Sequence, residues 1–391
     1  MRTEPKIRFK EFTDAWEQRK LGEVAKIVMG QSPSSENYTE NPNDHILVQG
    51  NADIKNNRVV PRVWTTQITK QAQKGDLIIS VRAPVGDVGK TDYDVVIGRG
   101  VAAIKGNEFV FHILGKMKQS GYWNALSTGS TFESINSTDL NNASVILPTS
   151  TEQTVIGDFF RQLDTLLTLH QRKLNELKSF KLTMLSKMFP KHGQTFPEIR
   201  LAGFDGEWEN VNLGDLVVEH NEIVQGTTGF PIATSSRKGL FLQNEYFDGG
   251  RTGIDESIQF HVVPIGYITY RHMSDDSIFK FNRNHYKTDI LVSKEYPVFK
   301  NNEKSDIDFI LYHLNNCPEF RRFSRIQKLG GTRVRLYFKN LVAYKLLIPT
   351  LNEQQAIGSF FSNLDDLISS TQSKVDELEI LKKKLLQEMF V

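Results

Sequence analysis

The sequence has very little cysteine and no long apolar segment. The single cysteine among its 391 residues, Cys317, excludes a disulfide framework and a cysteine-based zinc site. No apolar run approaches the roughly 18 residues of a membrane-spanning helix. The stretch Met1–Lys10 is charged and lacks the apolar core of a secretory signal, so we expect a cytoplasmic protein without a membrane partner. The net charge is only +2, so any basic surface must be local.

Catalytic motifs are also missing. The segment GDVGKT at residues 86–91 would need glycine at position 84 to form a phosphate-binding loop, but Pro84 stands there. The nine histidines show no metal-ligand spacing, and there is no Gly-x-Ser-x-Gly nucleophile motif. The Asn-Pro-Pro-aromatic and Asp-Pro-Pro-Tyr motifs of amino-methyltransferases do not occur. We therefore expect no catalytic residues, no metal and no cofactor in this chain.

What the sequence does contain is an internal repeat. Residues 7–24, IRFKEFTDAWEQRKLGEV, are similar to residues 199–216, IRLAGFDGEWENVNLGDL. Residues 147–167, LPTSTEQTVIGDFFRQLDTLL, return at 348–368 as IPTLNEQQAIGSFFSNLDDLI. Between these blocks the two copies diverge almost completely. Random sequence divergence alone would also have changed the repeated ends. We therefore expect the two middle segments to be specialised for different targets.

The closing block of each copy has the pattern of a long helix. In copy one, the hydroxyls of residues 149–151 can cap a helix that begins after Pro148, and no further proline occurs before Pro190. Apolar residues recur at steps of three and four, which is typical of a coiled coil. The predicted seam comprises Ile156, Phe160, Leu163, Leu167, Leu174, Leu177, Met184, Ile357, Phe361, Leu364, Ile368, Val375, Leu378 and Leu385.

Both copies interrupt this seam at equivalent positions, His170 and Thr371, then Lys181 and Lys382. Shared polar positions of this kind fix the register of a coiled coil. A helix of about 37 residues would be roughly 55 Å long, which exceeds the roughly 34–36 Å of one DNA turn. We therefore expect the helices to pair antiparallel, to relate the copies by a pseudo-two-fold axis, and to hold two modules on successive turns of one duplex.

The divergent middles, residues 23–148 and 217–347, have a mixed pattern that is rich in short strands. Apolar runs between turn residues predict strands at His45–Val48, Asp76–Val81, Val95–Ile97, Val101–Ile104, Ser144–Leu147, Gly239–Leu242, Tyr267–Tyr270 and Tyr344–Ile348. Helices are predicted over Phe109–Ser120 and from Ile307–Leu314 toward Arg325.

The predicted fold class is α+β, with two mixed α/β globular domains separated by two long antiparallel coiled-coil helices in a pseudo-two-fold internal repeat. The predicted domains are residues 1–148, 149–190, 191–349 and 350–391.

Basic residues are concentrated in one stretch of each middle. Residues 54–75 contain five Lys or Arg and residues 321–345 contain eight, and neither stretch contains an acidic residue. Local positive charge among Gly, Ser, Thr and Asn suits contact with phosphate groups. A solvated basic face remains the alternative interpretation for each stretch.

The arrangement resembles the specificity (S) subunit of Type I restriction-modification systems. Each copy opens on a version of the family's "LRF…F…EWE…LG" pattern, at residues 7–22 and 199–214. Each closes on the "P…EQ..I..FF..LD" entry to a long helix, from Pro148 and from Pro349. A polar loop, "GST" or "GGT" in this chain, precedes the last strand of each copy. The resemblance covers nearly the whole chain.

This resemblance implies that each variable middle is a target recognition domain for one half of a split, asymmetric DNA sequence. It implies that the paired helices fix the gap between the halves and dock two methyltransferase (M) subunits. S-adenosylmethionine, ATP and Mg would then belong to the partner subunits, which methylate adenine at N6, and restriction/motor (R) subunits would complete an ATP-dependent endonuclease. Double-stranded DNA is the expected ligand of this chain.

Residues near loop tips that can contact bases or phosphates are the candidate DNA contacts, because Arg, Lys, Asn and Gln make paired hydrogen bonds to base edges. A surface or capping role is open for each of them. The candidates are Gln49, Asn51, Arg82, Lys118, Ser130, Thr131, Arg271, His272, Arg325, Thr332, Arg333 and Arg335.

Three other functions fit parts of the pattern. A pseudo-dimeric DNA-binding regulator shares the geometry but would carry a helix-turn-helix signature, and none is evident. A coiled-coil scaffold would need no DNA at all. A target-recognition fragment of a fused restriction enzyme would also lack catalytic motifs.

Overall fold

A computed structural model of the chain describes residues 4–126, 134–243, 257–327 and 333–391. The chain forms two compact units, Met1–Arg172 with Ser373–Val391 (unit 1) and Lys173–Gln372 (unit 2). The boundary between them falls inside two long helices, the central helix Ser150–Lys187 and the C-terminal helix Leu351–Met389. Within the described ranges, no helix combines the length and the apolarity needed to cross a membrane.

Unit 1 contains a strand-rich globular part and short helices. Its strands are Glu17–Lys20, Lys26–Met29, Tyr38–Thr39, His45–Val48, Ile54–Lys55, Arg58–Val59, Val63–Thr65, Gln71–Ala72, Leu77–Ser80, Val88–Lys90, Val95–Ile97, Val101–Lys105 and Ser144–Leu147. Its shorter helices are Leu21–Val24, Glu108–Gln119, Tyr122–Leu126 and Ser137–Asn142, with 3₁₀ turns at Ser35–Asn37 and Asn51–Asp53.

The core of unit 1 is organised around the strand Leu77–Ser80, which is buried along its whole length. This strand pairs antiparallel with Val101–Lys105 and Val88–Lys90 in a six-stranded sheet. Successive side chains of a strand point to opposite faces. Accordingly, Ile79 packs in one apolar cluster with the helix Glu108–Gln119, and Ile78 packs in another with residues of the five-stranded sheet.

Unit 2 has the same ingredients in different proportions. Its strands are Glu209–Asn212, Val217–His220, Ile223–Gln225, Ala233–Ser236, Gly239–Leu242, Gln259–Val263, Ile268–Tyr270, Met273–Ser274, Phe281–Arg283, Ile290–Ser293, Val298–Asn301, Val334–Arg335 and Lys345–Ile348. Its shorter helices are Ile307–Asn316, Pro318–Ile326 and Phe338–Leu341, with 3₁₀ turns at Leu213–Asp215 and Gly226–Thr228.

One predicted helix is divided in the structure. The pattern from Ile307 toward Arg325 was predicted as one element, but the first helix ends at Asn316 and a second begins at Pro318. Proline lacks an N–H and forces an extended backbone on the residue before it, and Cys317 is extended (φ −73°, ψ 128°). Pro318 is well placed as the first residue of the new helix.

The repeated opening and closing segments of each copy lie side by side. Glu17–Lys20 pairs antiparallel with Ser144–Leu147 in unit 1, and Glu209–Asn212 pairs in the same way with Lys345–Ile348 in unit 2. The repeat therefore encodes a frame in which the start and the end of each variable middle are held together.

A buried ion pair joins the opening segment to the first turn of the long helix in each unit. Arg8 donates from Nε to Glu152 Oε1 at 2.7 Å, and Arg200 donates from Nε to Glu353 Oε1 at 2.8 Å. The second guanidinium nitrogen bonds the other carboxylate oxygen, so both pairs are bidentate. Both carboxylates are buried, and removing a buried partner typically costs about 3–5 kcal/mol.

A glycine in the first turns of each long helix allows close packing of the globular part. A Cβ at Gly157 would lie 2.8 Å from Glu108 Cβ and 2.9 Å from the Phe109 backbone nitrogen. A Cβ at Gly358 would lie 2.4 Å from Asp306 Oδ1. The helix-weakening glycine at this repeated position therefore serves the contact between the long helix and the domain helix that begins beside it.

The two long helices run antiparallel within each unit. In unit 1, Phe160 of the central helix contacts Phe390 with ring centroids 5.4 Å apart, and Lys382 forms a 2.5 Å ion pair with Asp164. In unit 2, Lys181 forms an ion pair with Asp365. The lysines that interrupt the predicted seam are thus paired with carboxylates of the facing helix.

Most residues of the predicted seam are buried in the structure. The buried members are Ile156, Phe160, Leu163, Leu174, Ile357, Phe361, Leu364, Val375 and Leu378. The half-buried members are Leu167, Leu177, Met184, Ile368 and Leu385. Leu386 is more deeply buried than Leu385, because the apolar face near the helix end turns toward the unit 1 core.

A side chain of the neighbouring domain helix lies beside each Asp–Lys pair. In unit 2, the Tyr312 hydroxyl donates to Asp365 Oδ2 at 2.7 Å. In unit 1, His112 Nε2 lies 3.9 Å from Asp164 Oδ2 and makes no hydrogen bond. Burial, together with the nearby charges of Lys382 and Lys90, lowers the pKa of His112 to about 3. His112 is therefore neutral at physiological pH.

The neutral, buried His112 predicts a pH dependence of unit 1. The unfolded chain binds a proton at this histidine below pH 6.5, whereas the folded chain does so only near pH 3. The contribution of neutral His112 to folding stability is therefore complete above pH 6.5 and is lost as the pH falls toward 3. We predict that His112→Tyr, which copies the arrangement of unit 2, removes about 1.4 kcal/mol of the stability difference between pH 7.5 and 5.5. Amide hydrogen exchange in Glu108–Gln119 measures this difference.

The control is His45→Tyr, since His45 is already exposed to water. An unchanged pH response in His112→Tyr would contradict the assignment.

Candidate nucleic-acid interface

An equivalent antiparallel bridge, called the crossing below, follows the strand Leu77–Ser80 in unit 1 and the strand Ile268–Tyr270 in unit 2. In unit 1, Arg82 pairs with Ser134 in an antiparallel bridge, and the Ile135 N–H donates to the Val81 carbonyl at 2.9 Å. In unit 2, Met273–Ser274 pairs with Val334–Arg335, and the Leu336 N–H donates to the His272 carbonyl at 2.8 Å. The polar segments GST (residues 129–131) and GGT (residues 330–332) precede Ser134 and Val334 in the sequence. Their candidate residues Ser130, Thr131 and Thr332 lie outside the described residues.

Gln49 and Asn51 belong to a fixed turn of unit 1. Both are half-buried after the strand His45–Val48. The backbone N–H groups of Gln49 and Gly50 donate to Asp53 Oδ2 at 2.8 and 3.2 Å. The buried Asp53 carboxylate therefore sets the conformation from which these two amide side chains project.

Arg82 and Lys118 of unit 1 differ in how their charges are compensated. Arg82 is exposed and, among the described residues, has no ion-pair partner. Lys118 lies near the end of Glu108–Gln119 and forms an ion pair with Asp87. Arg82 thus offers an uncompensated guanidinium at the crossing, whereas the charge of Lys118 is already paired.

His272 of unit 2 is buried rather than presented at the surface. Its ring is 4% exposed and stacks on Tyr337 with centroids 5.3 Å apart. Burial lowers its pKa, and the nearby Arg335 and Arg271 also favour the neutral ring, against an opposing effect of Glu295. Both arginines are exposed, so the positive charge lies at the surface above a neutral histidine.

Arg325 and Arg321 project from the exposed face of the helix Pro318–Ile326. They are one turn apart, and Phe320 and Ser324 occupy the buried face. Arg322 on the same helix lies 3.9 Å from Glu319. Within the described ranges, neither Arg321 nor Arg325 has an ion-pair partner, so this helix presents free cations suited to phosphate contact.

Acidic residues from distant segments neutralise part of the two basic runs. In unit 1, Arg58 pairs with Asp92 at 2.9 Å and Arg62 with Asp53 at 3.4 Å. In unit 2, the candidate Arg333 pairs with Asp275 at 2.9 Å.

Another ion pair, outside the two basic runs, lies beside the strand Met273–Ser274 of unit 2. Arg237 forms an ion pair with Asp276 and lowers its pKa to about 2. These pairs cannot be read from an acid-free stretch of sequence, because the carboxylates come from other parts of the chain.

Both copies of the repeat match the same family model. A model of the Type I restriction modification DNA specificity domain matches the chain twice, over residues 13–179 and 206–380. The chain belongs to this family. Each match combines one variable middle with most of the long helix that follows it, so the repeat found in the sequence is a repeat of specificity domains.

Two curated relatives come from Methanocaldococcus jannaschii. The putative type I restriction enzyme MjaX specificity subunit is 32% identical over 184 residues, which are 45% of this chain and 43% of that protein. The type I restriction enzyme MjaVIII specificity subunit is 23% identical over 300 residues, 71% of this chain and 68% of that protein. The chain thus spans less than half the length of the first of these relatives.

A solved structure shares the fold. The S subunit of a Type I restriction-modification system from M. genitalium superposes with a TM-score of 0.63 at 14% identity, over 99% of both chains. Together with the doubled match, this confirms the predicted α+β class, the internal repeat and the long paired helices. The predicted domain boundaries stay a prediction, since each compact unit takes part of both long helices.

No group of three His, Cys, Asp or Glu side chains that could hold a metal ion occurs in the part of the chain that the structure describes.

Arg325, one of two arginines on the helix Pro318–Ile326 without an ion-pair partner in the described ranges, yields a prediction about salt dependence. If Arg325 contacts a phosphate, Arg325→Gln should weaken binding of all duplexes equally and reduce the slope of log affinity against log salt by about one. Arg19→Gln is the control, because Glu17 and Glu23 already pair with Arg19. Fluorescence anisotropy of the full chain on labelled duplexes at several salt concentrations measures both. A slope equal to that of the unmodified protein in Arg325→Gln would contradict phosphate contact.

Proposed function

We propose that the chain is the DNA-reading subunit of a Type I restriction-modification complex, in which each unit recognises one half of a bipartite, asymmetric site in double-stranded DNA. The main support is that the specificity domain occurs twice in the chain, with a repeated frame and divergent middle segments. Recognition of two different half-sites requires two different reading domains, and the repeated frame holds each of them in the same way.

The charge distribution supports DNA as the ligand. Both units place an exposed arginine at the equivalent crossing, Arg82 in unit 1 and Arg335 in unit 2, and neither has an ion-pair partner among the described residues. Phosphate contacts position a protein on DNA, while contacts to base edges provide sequence specificity. Gln49, Asn51, Arg271 and Arg325 remain proposed contacts, as do the other candidates from the sequence.

The helices are proposed to set the gap between the half-sites. They are 38 and 39 residues long. Their Asp–Lys pairs, Asp164 with Lys382 and Lys181 with Asp365, fix which residues face each other. A fixed register means a fixed distance along the helices, so the gap becomes a property of the frame rather than of the reading domains.

Exposed apolar side chains on the helices support docking of methyltransferase subunits. In unit 1, Leu166, Leu169, Ile380 and Leu381 are between 40% and 69% exposed. Unit 2 exposes Phe180, Leu182 and Leu367 in the same way. Large exposed apolar groups mark protein interaction sites. Their presence in both units fits two M subunits, one for each half of the repeat.

Catalysis is proposed to reside in the partners. The M subunits would bind S-adenosylmethionine and methylate adenine at N6, and R subunits would supply the ATP- and Mg-dependent motor and nuclease. The chain itself would act in the cytoplasm on chromosomal and invading DNA. A pseudo-dimeric regulator or a coiled-coil scaffold would need neither a methyltransferase nor a methylated motif, which separates these alternatives experimentally.

Mapping of N6-methyladenine in the host genome by long-read sequencing, with and without this gene, tests the proposal. We predict a split, asymmetric motif that disappears on deletion and returns on complementation. Exchange of residues 23–147 for the corresponding middle of another specificity subunit should then alter one half of the motif only, with exchange of residues 217–347 as the matched counterpart for the other half. An unaltered methylation pattern after deletion, or a change in both halves after a single exchange, would contradict the proposal.

A further inference from the structure

The crossing that follows the segments GST and GGT is equivalent in the two units, although most of the surrounding sequence differs. Arg82 faces Ser134 in unit 1, and Met273 faces Arg335 in unit 2. The backbone bond beside the bridge is the same, from Ile135 to Val81 and from Leu336 to His272. Each bridge therefore carries one arginine, but on opposite strands of the pair.

The residues next to the arginines in the crossing are packed in the interior. Val81 and Ile135 are both 2% exposed in unit 1, and Val334 and Leu336 are fully buried in unit 2. The arginine side chains themselves are exposed. A functional group held on packed strands is placed more precisely than one on a free loop.

Three other cations of these segments are compensated. Lys118 pairs with Asp87, Arg333 with Asp275, and Arg237 with Asp276. Arg82 and Arg335 have no ion-pair partner within the described ranges. Arg271 is a second exposed cation of unit 2, beside the crossing.

The change of strand has a geometric consequence. Directly paired residues of antiparallel strands point to the same face, with Cβ atoms about 4.5–5.5 Å apart. Moving the arginine from one strand to the other therefore shifts its origin by about this distance on the same face. Since successive base pairs are about 3.4 Å apart, such a shift is enough to bring a different base within reach.

We propose that Arg82 and Arg335 are equivalent base-reading arginines, one for each half-site, and that the strand from which each projects selects the base position it reads. Guanine is the expected base, because arginine makes a bidentate contact with its N7 and O6 atoms. The inference rests on the proposed function and adds to it the residue in each unit that determines specificity.

Single substitutions test the assignment in the full chain co-expressed with its methyltransferase subunits. Long-read mapping of N6-methyladenine gives the methylated fraction at the split motif and at every single-base variant of it. Arg82→Ala should reduce discrimination at one position of one half by roughly 10- to 100-fold, and Arg335→Ala should do so in the other half. Arg19→Ala, which removes an exposed arginine paired with Glu17 and Glu23, should leave the motif unchanged.

A graft tests the role of the strand. The double substitution Arg82→Met with Ser134→Arg gives unit 1 the side chains of the unit 2 bridge. It should restore discrimination in the half read by unit 1, but at a different base position from the one lost in Arg82→Ala. Restored discrimination at the original position, or none at all, would overturn the role of the strand.

The outcomes separate this inference from the function on which it rests. Absence of any split motif with the unmodified chain overturns both. A split motif that Arg82→Ala and Arg335→Ala leave intact overturns the inference alone. If a substitution abolishes methylation, fluorescence anisotropy of the purified complex decides. If binding is weakened for the motif duplex but not for a scrambled duplex, the result supports base reading. If binding is weakened equally for both duplexes, the arginine contacts phosphate and the inference is overturned.

Discussion

The pairing of the long helices through Asp164 with Lys382 and through Lys181 with Asp365 is the constraint on which the rest of the structure depends. Each carboxylate is approached from two sides, by a lysine of the facing helix and by a side chain of the domain helix, His112 or Tyr312. The ion pairs therefore fix the register of the helices, and in unit 2 the hydrogen bond from Tyr312 also fixes the position of the variable domain on them. An apolar seam alone would bury as much surface but would tolerate a shift in register.

Around these ion pairs, the repeated segments form a frame that does not depend on the variable middle. The opening and closing strands pair with each other, bidentate Arg–Glu pairs fasten the opening segment to the helix start, and Gly157 and Gly358 let the domain helix approach closely. A different middle can be accommodated between these fixed ends. This explains how a repeated sequence can carry two domains as different as those of units 1 and 2.

The frame was largely predictable from the sequence, and the candidate interface was not. Heptad spacing identified the helices and the seam lysines, because both follow from the periodicity of one element, but it could not show that Lys382 meets Asp164. The break at Pro318 was readable from proline chemistry, yet the apolar pattern continued through it. The partners of Arg62 and Arg333 lie on other segments, and Met273 could be matched with Arg82 only through hydrogen bonding. Contacts that are set by tertiary structure leave no local signal.

The central claim is that the helix frame sets the spacing while the variable domains read the sequence. Its most direct test is to determine the methylation motif of a chain in which both helices are lengthened. One heptad inserted after Arg172 and one after Gln372 would add about 10 Å, equivalent to about three base pairs. The account predicts that both half-site sequences are retained and that the gap between them grows. Retained methylation with an unchanged gap, or altered half-site sequences, would contradict it.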